Sequence, residues 1–144
     1  MPENISIRCA VPSDAADLDL LNSAFNGEDV AGAAHIAESL AQNPDEPVFI
    51  ARVNGEPAGF ICAQIKRSMC YRAPSAELTE MFVAPPHRRK GVASALIRAL
   101  EAELSSRGIT EITVLTGNDN LPAQALYAAM GYESSGELHL EKEI

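Results

Sequence analysis

The chain has 144 residues, of which 47% are hydrophobic and 22% charged, and its formal net charge is −9. This length suffices for one domain with a buried core, and the composition is that of a globular rather than a disordered protein. Because nucleic acids and anionic membranes repel an acidic protein, we expect neither to be a partner. The acidity suits a cationic substrate, and it also suits a role in solubility alone.

Three cysteines stand at positions 9, 62 and 70 without a Cys-x-x-Cys spacing. An odd number of such cysteines is typical of free thiols in a reducing compartment. The first ten residues lack the basic and apolar segments of a signal peptide, and no apolar run approaches membrane-spanning length. We therefore expect a cytoplasmic protein. The three histidines lie far apart and lack ligand spacing with any cysteine, so no metal site is predicted.

The first third of the chain predicts a strand, two helices and a hairpin. Residues 5–10 alternate between apolar and polar side chains, which is typical of a strand. The segment PSDAADLDLLNSAF predicts a helix with an apolar stripe, capped by Ser13 or Asp14. A second helix is predicted over 30–42, and Asn54-Gly55 between two apolar segments predicts a β-hairpin.

The remainder predicts alternating strands and helices. Residues 91–107 form a predicted helix, because Val92, Leu96, Leu100 and Leu104 recur every four residues. The other segments are a polar link (KRSMCYRAPS), a strand ended by Pro85-Pro86 (AELTEMFVAP), a strand (ITEITVLT), a helix (NLPAQALYAAM) and a last hairpin or strand (YESSGELHLEKEI).

These elements give the order β-α-α-β-β-β-α-β-α-β. The strand–helix–strand unit over 76–116 implies a parallel pair joined by a crossover helix, whereas the hairpins imply antiparallel pairs. We predict an α/β (α+β) fold in which a mixed, twisted sheet carries helices on both faces. A single domain is expected to span residues 1–144.

Positive charge is concentrated in the stretch APPHRRKGVASALI, where a helix begins. The first backbone N–H groups of a helix are unpaired and partly positive, so anions bind there. Gly91 and Ala93 leave the backbone open to a phosphate, and Arg88, Arg89 and Lys90 add charge around it. A pyrophosphate cradle and a solvated basic turn explain this spacing equally well, since the chain contains neither GxxxxGK[ST] nor GxGxxG.

The same stretch resembles the acetyl-CoA loop of the GNAT family of N-acetyltransferases, whose pattern is Arg or Gln, two residues, Gly, one residue, and Gly or Ala. The segment from Arg88 to Ala93 matches that pattern. Downstream, Asn120, Ala123, Leu126-Tyr127 and Gly131-Tyr132 resemble the family's Asn-x-x-Ala-x-x-Leu-Tyr-x-x-x-Gly-Tyr/Phe. The resemblance covers residues 76–132 and includes some similarity to aminoglycoside 3-N-acetyltransferases.

The resemblance implies a sheet of six to seven strands with about four helices, and acetyl-CoA as co-substrate for an amine acceptor. The N–H groups of residues 89–94 would bind the CoA pyrophosphate. The fourth and fifth strands would splay apart, and the pantetheine arm would pair there with the fourth strand. The expected cofactor-binding residues are Met81, Phe82, Val83, Arg88, Arg89, Lys90, Gly91, Val92, Ala93, Ser94, Asn120 and Tyr127.

Acetyl transfer needs a base to give a neutral amine and an acid to protonate the departing thiolate. Tyr127 is the candidate acid, and its alternative role is that of a core aromatic residue. Glu80 is the candidate base and Glu77 the reserve; strand alternation places them on opposite faces unless a bulge intervenes. The alternative for each is a solvent-facing carboxylate, or one that only holds the cationic amine. Asn120 contacts pantetheine, caps the next helix, or does both.

The predicted function is therefore transfer of an acetyl group from acetyl-CoA to a primary amine by direct attack in a ternary complex, with an aminoglycoside as one candidate acceptor. The alternatives are acetylation of a protein N-terminus, a lysine or a polyamine, a non-catalytic acyl-CoA-binding module, and general anion binding. Members of the GNAT family often dimerise, sometimes through their last strands. Residues 132–144 are therefore expected either to form part of a homodimer interface or to cover the sheet within one chain.

Overall fold

The computed structural model describes residues 3–144, so residues 1 and 2 of the predicted single domain lie outside the described residues. Short 3-10 turns at Pro12–Asp14 and Pro85–His87 precede the first and third helices. The strands and α-helices are β1 (Ile5–Cys9), α1 (Ala15–Asn26), α2 (Ala33–Gln42), β2 (Val48–Val53), β3 (Glu56–Ser68), β4 (Tyr71–Val83), α3 (Val92–Ser106), β5 (Ile112–Val114) and α4 (Leu121–Ala129).

The strands form one sheet in the order β1-β2-β3-β4-β5. β4 and β5 are parallel and are joined by α3, which confirms the predicted crossover unit, while the other neighbours are antiparallel. Asn54 and Gly55 have φ values of 51° and 83°, the left-handed conformations of a two-residue hairpin turn, so that predicted turn is confirmed.

Two sequence predictions about strands are wrong. The polar link is absent because β3 and β4 run through it as a long hairpin, closed by the pairing of Ser68 with Tyr71. Polar side chains are tolerated there because residues 66–73 are exposed on an antiparallel ribbon. Residues 133–144 form no strand, so the described part of the chain has five strands rather than six to seven. Among residues 3–144 no strand pairs with this segment, and its residues are exposed throughout.

Helices pack on both faces of the sheet, as predicted. The α3–α4 face holds the larger apolar cluster, in which Leu96, Leu100 and Leu104 of α3 are each 0% exposed. Full burial of one such side chain stabilises the fold by about 1.5–3 kcal/mol. The α1–α2 face holds a second cluster that includes Leu18, Leu21, Ile50, Phe60 and Phe82.

Asp14 joins the start of α1 to the sheet. Its carboxylate is buried and does not cap α1, so the predicted capping role is wrong. Instead its two oxygens accept hydrogen bonds from Arg8, each at 2.6 Å, while Arg52 donates at 2.9 Å and the Val11 N–H at 2.8 Å. The Arg8 guanidinium contributes most to holding the Asp14 pKa well below its usual range. The ionised carboxylate therefore ties β1, β2 and α1 together.

A β-bulge in β4 decides which side chains face which helices. Cys62 of β3 pairs with Glu80 and the next residue, Ala63, pairs with Leu78, so Thr79 is an extra residue without a partner. Before the bulge, Leu78 faces the α3–α4 cluster; after it, Phe82 faces the α1–α2 cluster. The bulge thus reverses the facing of every β4 side chain beyond it.

Candidate active site

One edge of β4 is free where the crossover helix is about to begin. β5 pairs with β4 only at Ala76, Glu77 and Leu78, whereas β3 pairs with β4 as far as Val83. Among residues 3–144, no strand therefore pairs with residues 79–83 on the β5 side of β4. On the other side β3 lies very close, because a Cβ on Gly59 would come within 2.5 Å of the Phe82 carbonyl oxygen.

The start of α3 presents a row of unpaired backbone donors. The Arg88 N–H donates to the Pro85 carbonyl at 3.3 Å, and the Ala95 N–H donates to the Gly91 carbonyl at 3.1 Å. Between them, the N–H groups of residues 89–94 donate to no acceptor within residues 3–144. Gly91 precedes α3 with a left-handed φ of +82°, and its missing side chain would point into open space. Such a row of donors is available to an anion.

The basic side chains of this loop differ in their contacts. Arg88 donates from Nε to the Val83 carbonyl at 2.9 Å, and its guanidinium lies 5.9 Å from the centre of the Phe82 ring. Lys90 pairs with Glu3 at 2.6 Å. Arg89 makes no ion pair with the described residues and has a positive φ of 62°. Arg88 therefore braces the end of β4, while Arg89 keeps its charge exposed.

Glu77 and Glu80 lie on the same face of the sheet, because the bulge at Thr79 falls between them. The Glu77 carboxylate pairs with the Lys66 ammonium at 3.6 Å. Glu80 has no cationic partner within 4 Å among residues 3–144, and burial, followed by the charge of Glu46, raises its pKa. The two carboxylates thus share a face but differ in environment, and only Glu80 is without a compensating charge.

Glu80 lines a cavity of about 210 Å³ between the sheet and helices α1 and α2. Apolar walls come from Leu18, Ile36 and Phe60, and the Cys62 side chain also contributes. Burial raises the pKa of the Cys62 thiol, so it stays protonated at neutral pH. A second carboxylate, that of Glu46, lines the same cavity. Sequence reasoning missed Glu46, which lies in the connection before β2 and belongs to no motif.

Tyr127 lies on α4 with its ring in the α3–α4 cluster. The residue is 8% exposed, and its ring packs edge to face against Tyr132 with centroids 5.6 Å apart. Its hydroxyl makes no hydrogen bond to residues 3–144, and burial raises its pKa, so the phenol remains protonated at neutral pH. Asn120 caps α4, since its Oδ1 accepts a hydrogen bond from the Ala123 N–H at 3.3 Å. The capping role predicted for Asn120 is therefore present.

Two further features concern metals and membranes. Within residues 3–144, no group of three or more His, Cys, Asp or Glu side chains is arranged to hold a metal ion. None of the helices formed by these residues has the length and apolar character needed to cross a bilayer.

Comparison with known proteins gives consistent results. The model of the Acetyltransferase (GNAT) family matches residues 18–132. The aminoglycoside N(6′)-acetyltransferase type 1 of Salmonella typhimurium strain LT2 is 32% identical over 107 residues, which are 71% of this chain and 74% of that protein. Human N-acetyltransferase 8 is 36% identical over 102 residues, which are 71% of this chain and 45% of that protein.

Among solved structures, AAC(6′)-Iy in complex with the bisubstrate analog CoA-S-monomethyl-acetylneamine is 25% identical, with a TM-score of 0.86 and coverage of 98% of this chain and 99% of that one. The names of these aminoglycoside relatives refer to the 6′ nitrogen. The resemblance in the sequence was instead to aminoglycoside 3-N-acetyltransferases. Because the family model matches well over half of the chain and agrees with the fold, the chain belongs to the GNAT family and is an acetyl-CoA-dependent N-acetyltransferase.

Proposed function

We propose that this enzyme acetylates a primary amine of an aminoglycoside by direct attack of the amine on acetyl-CoA in a ternary complex. The proposal rests on the surroundings of the Glu80 carboxylate. It faces a cavity, has no cationic partner among the described residues, and lies on the β4 segment whose other edge is free. Relatives named as aminoglycoside N(6′)-acetyltransferases support the choice of acceptor.

The co-substrate would bind at the free edge of β4 and the start of α3. The unpaired N–H groups of residues 89–94 supply donors for the CoA pyrophosphate, and the exposed Arg89 adds charge. The backbone of Met81, Phe82 and Val83 has a free edge on which the pantetheine arm would pair as an added strand. We include Asn120 in this site through its side-chain amide, in addition to its role as a helix cap.

The acceptor amine must lose a proton before it attacks. An amine with a pKa of ~10.4 is neutral in only about one molecule in 2,500 at pH 7. Glu80 would take this proton, directly or through a water molecule, and its raised pKa makes it a stronger base than an exposed glutamate. Glu77 is assigned the lesser role, because its charge is already compensated by Lys66.

The departing thiolate must gain a proton. Tyr127 would donate it, since its phenol is protonated at neutral pH and its hydroxyl has no competing acceptor among residues 3–144. The ring packs in the core and so fixes the direction of the hydroxyl. Tyr127 thus combines the two roles that the sequence offered as alternatives.

The proposal is tested by acetyl transfer from acetyl-CoA to neamine, a polyamine, and a peptide that carries a free N-terminus and a lysine, with Tyr127→Phe beside the wild type. We expect neamine to be the best acceptor. Tyr127→Phe should lower kcat about a hundredfold while the Kd of acetyl-CoA changes little. Tyr132→Phe is the matched control, because it removes a neighbouring hydroxyl that donates to Glu101 at 3.0 Å.

Transfer to the peptide or the polyamine but not to neamine would overturn the choice of acceptor. An unchanged kcat in Tyr127→Phe would leave Tyr127 as a core residue only. Acetyl-CoA binding without transfer to any amine would favour a non-catalytic binding module.

We also propose a homodimer in which residues 133–144 of each copy pair with the β5 edge of the other. Leu138 and Leu140 alternate with polar residues, as in a strand, yet are 83% and 80% exposed. β5 is the last strand of the sheet, so its outer edge lacks a partner within the described chain. A second copy would bury the exposed leucines and would pair with the open edge of β5, since an edge strand pairs readily with another chain.

Light scattering on a sizing column tests the dimer. We expect the wild type to have about twice the 15.3 kDa chain mass, and the double variant Leu138→Ser, Leu140→Ser to have the mass of one chain. A wild-type mass of 15.3 kDa at micromolar concentration would exclude the dimer.

A further inference from the structure

The Glu46 carboxylate is held in place at the cavity wall. Gln64 donates from Nε2 to Glu46 Oε2 at 2.6 Å, and Ser39 lies with its Oγ 3.4 Å from Glu46 Oε1. These neutral donors come from β3 and α2, so they orient the carboxylate without neutralising it. The group is thereby preorganised on two elements that the helix packing already fixes.

Glu46 and Glu80 differ from two other carboxylates of this face in their charged neighbours. Asp14 and Glu77 each have a cation within 4 Å, whereas Glu46 and Glu80 have none among residues 3–144. Both line one cavity whose wall is partly apolar and also includes His35, and both carboxylates are partly withdrawn from water. The negative charge of Glu46 is felt at Glu80, where it adds to the effect of burial.

Two uncompensated carboxylates in one partly apolar cavity repel each other unless a cation lies between or beside them. The acceptor itself cannot compensate both through one amino group, because the amine at Glu80 must be neutral when it attacks. A second ammonium group on the same acceptor would compensate Glu46 and remain charged throughout the reaction. The cavity therefore suits a molecule that carries at least two amino groups.

We propose that Glu46 is a specificity-determining residue that binds a second, unreacted ammonium group of the acceptor. The enzyme then selects acceptors with two or more amino groups over monoamines of similar shape. This inference rests on the proposed function, because it assumes that the cavity beside Glu80 is the acceptor site.

The test compares neamine, which has several amino groups, with 6-amino-6-deoxyglucose, which has one. In Glu46→Gln the shape and the hydrogen bond from Gln64 are kept while the charge is removed. We expect the ratio of kcat/KM for neamine to that for the monoamine to fall about tenfold to a hundredfold, mainly through the KM for neamine. Glu46→Asp should restore part of the ratio, since it restores the charge.

Asp45→Asn is the matched control, because it removes a neighbouring carboxylate that pairs with Arg67 at 3.4 Å on the exposed hairpin. Calorimetry with acetyl-CoA verifies that each variant is folded. An equal loss on both acceptors in Glu46→Gln, or a loss confined to kcat, would overturn the role of Glu46. Failure of the wild type to acetylate any amine would instead overturn the proposed function.

Discussion

Replacing Gly91 by glutamate is expected to raise the Kd of acetyl-CoA at least about a hundredfold. The new carboxylate would stand at the unpaired N–H groups of residues 89–94, where it would compete with the pyrophosphate and repel it. The left-handed φ of +82° adds backbone strain, because a side chain is disfavoured in that conformation. Titration calorimetry with acetyl-CoA, CoA and ATP measures the loss and its selectivity.

Gly108→Glu controls for the strain. Gly108 has a φ of +81°, it also faces open space, and it lies at the other end of the same helix. The two variants therefore share the backbone cost and differ in their distance from the loop. If Gly108→Glu weakened acetyl-CoA binding as much as Gly91→Glu, the effect would come from destabilised folding. If the wild type bound ATP, phosphate and CoA with similar affinity, the loop would be a general anion site.

Glu80→Gln is expected to lower kcat/KM about a hundredfold or more, since general-base catalysis contributes at least that much. In the wild type, activity should be lost as the pH falls through the pKa of Glu80, because the protonated carboxyl cannot accept a proton. That pKa is raised, so the loss should begin at a higher pH than for an exposed glutamate. Steady-state rates from pH 4.5 to 9 measure this limb, which should disappear in Glu80→Gln.

Glu77→Gln distinguishes the two candidate bases. Both glutamates lie on β4 and on one face, but Glu77 is paired with Lys66. A larger loss of kcat in Glu77→Gln than in Glu80→Gln would assign the base to Glu77. An acid limb that persists in Glu80→Gln would show that a different group, or the acceptor amine alone, controls the pH dependence.

The parts of the site that depend on local sequence were predictable. Gly91, followed by apolar residues at every fourth position, marks the start of α3, and the charge of Arg88 to Lys90 makes this helix start a candidate anion site. Asn120 followed by Leu121-Pro122 marks the cap of α4 in the same way. These helix signals depend only on residues within one or two helical turns of each other, so they can be recognised without knowledge of the tertiary fold.

The rest depends on contacts between distant segments. No pattern indicates that Thr79 is left out of the β3–β4 pairing, because the bulge depends on how two strands match over their whole length. The sequence also does not reveal the position of the Glu46 carboxylate, because the hydrogen bond that orients it comes from Gln64 of β3, 18 residues away. The polar hairpin tip at 66–73 has the sequence pattern of a link, because the two strands pair there through their backbones and carry few apolar side chains.

The bulge at Thr79 interrupts the regular alternation of β4 side chains between the two faces of the sheet. Because of the bulge, β4 can place Leu78 in the α3–α4 cluster and, two residues later, Glu80 on the opposite face at the cavity. If Thr79 were retained but took a regular pairing position, strict alternation would exchange Glu80 and Phe82 with Met81 and Val83 between the two layers. A carboxylate would then enter the α3–α4 core, so the bulge itself keeps Glu80 at the cavity and out of the core.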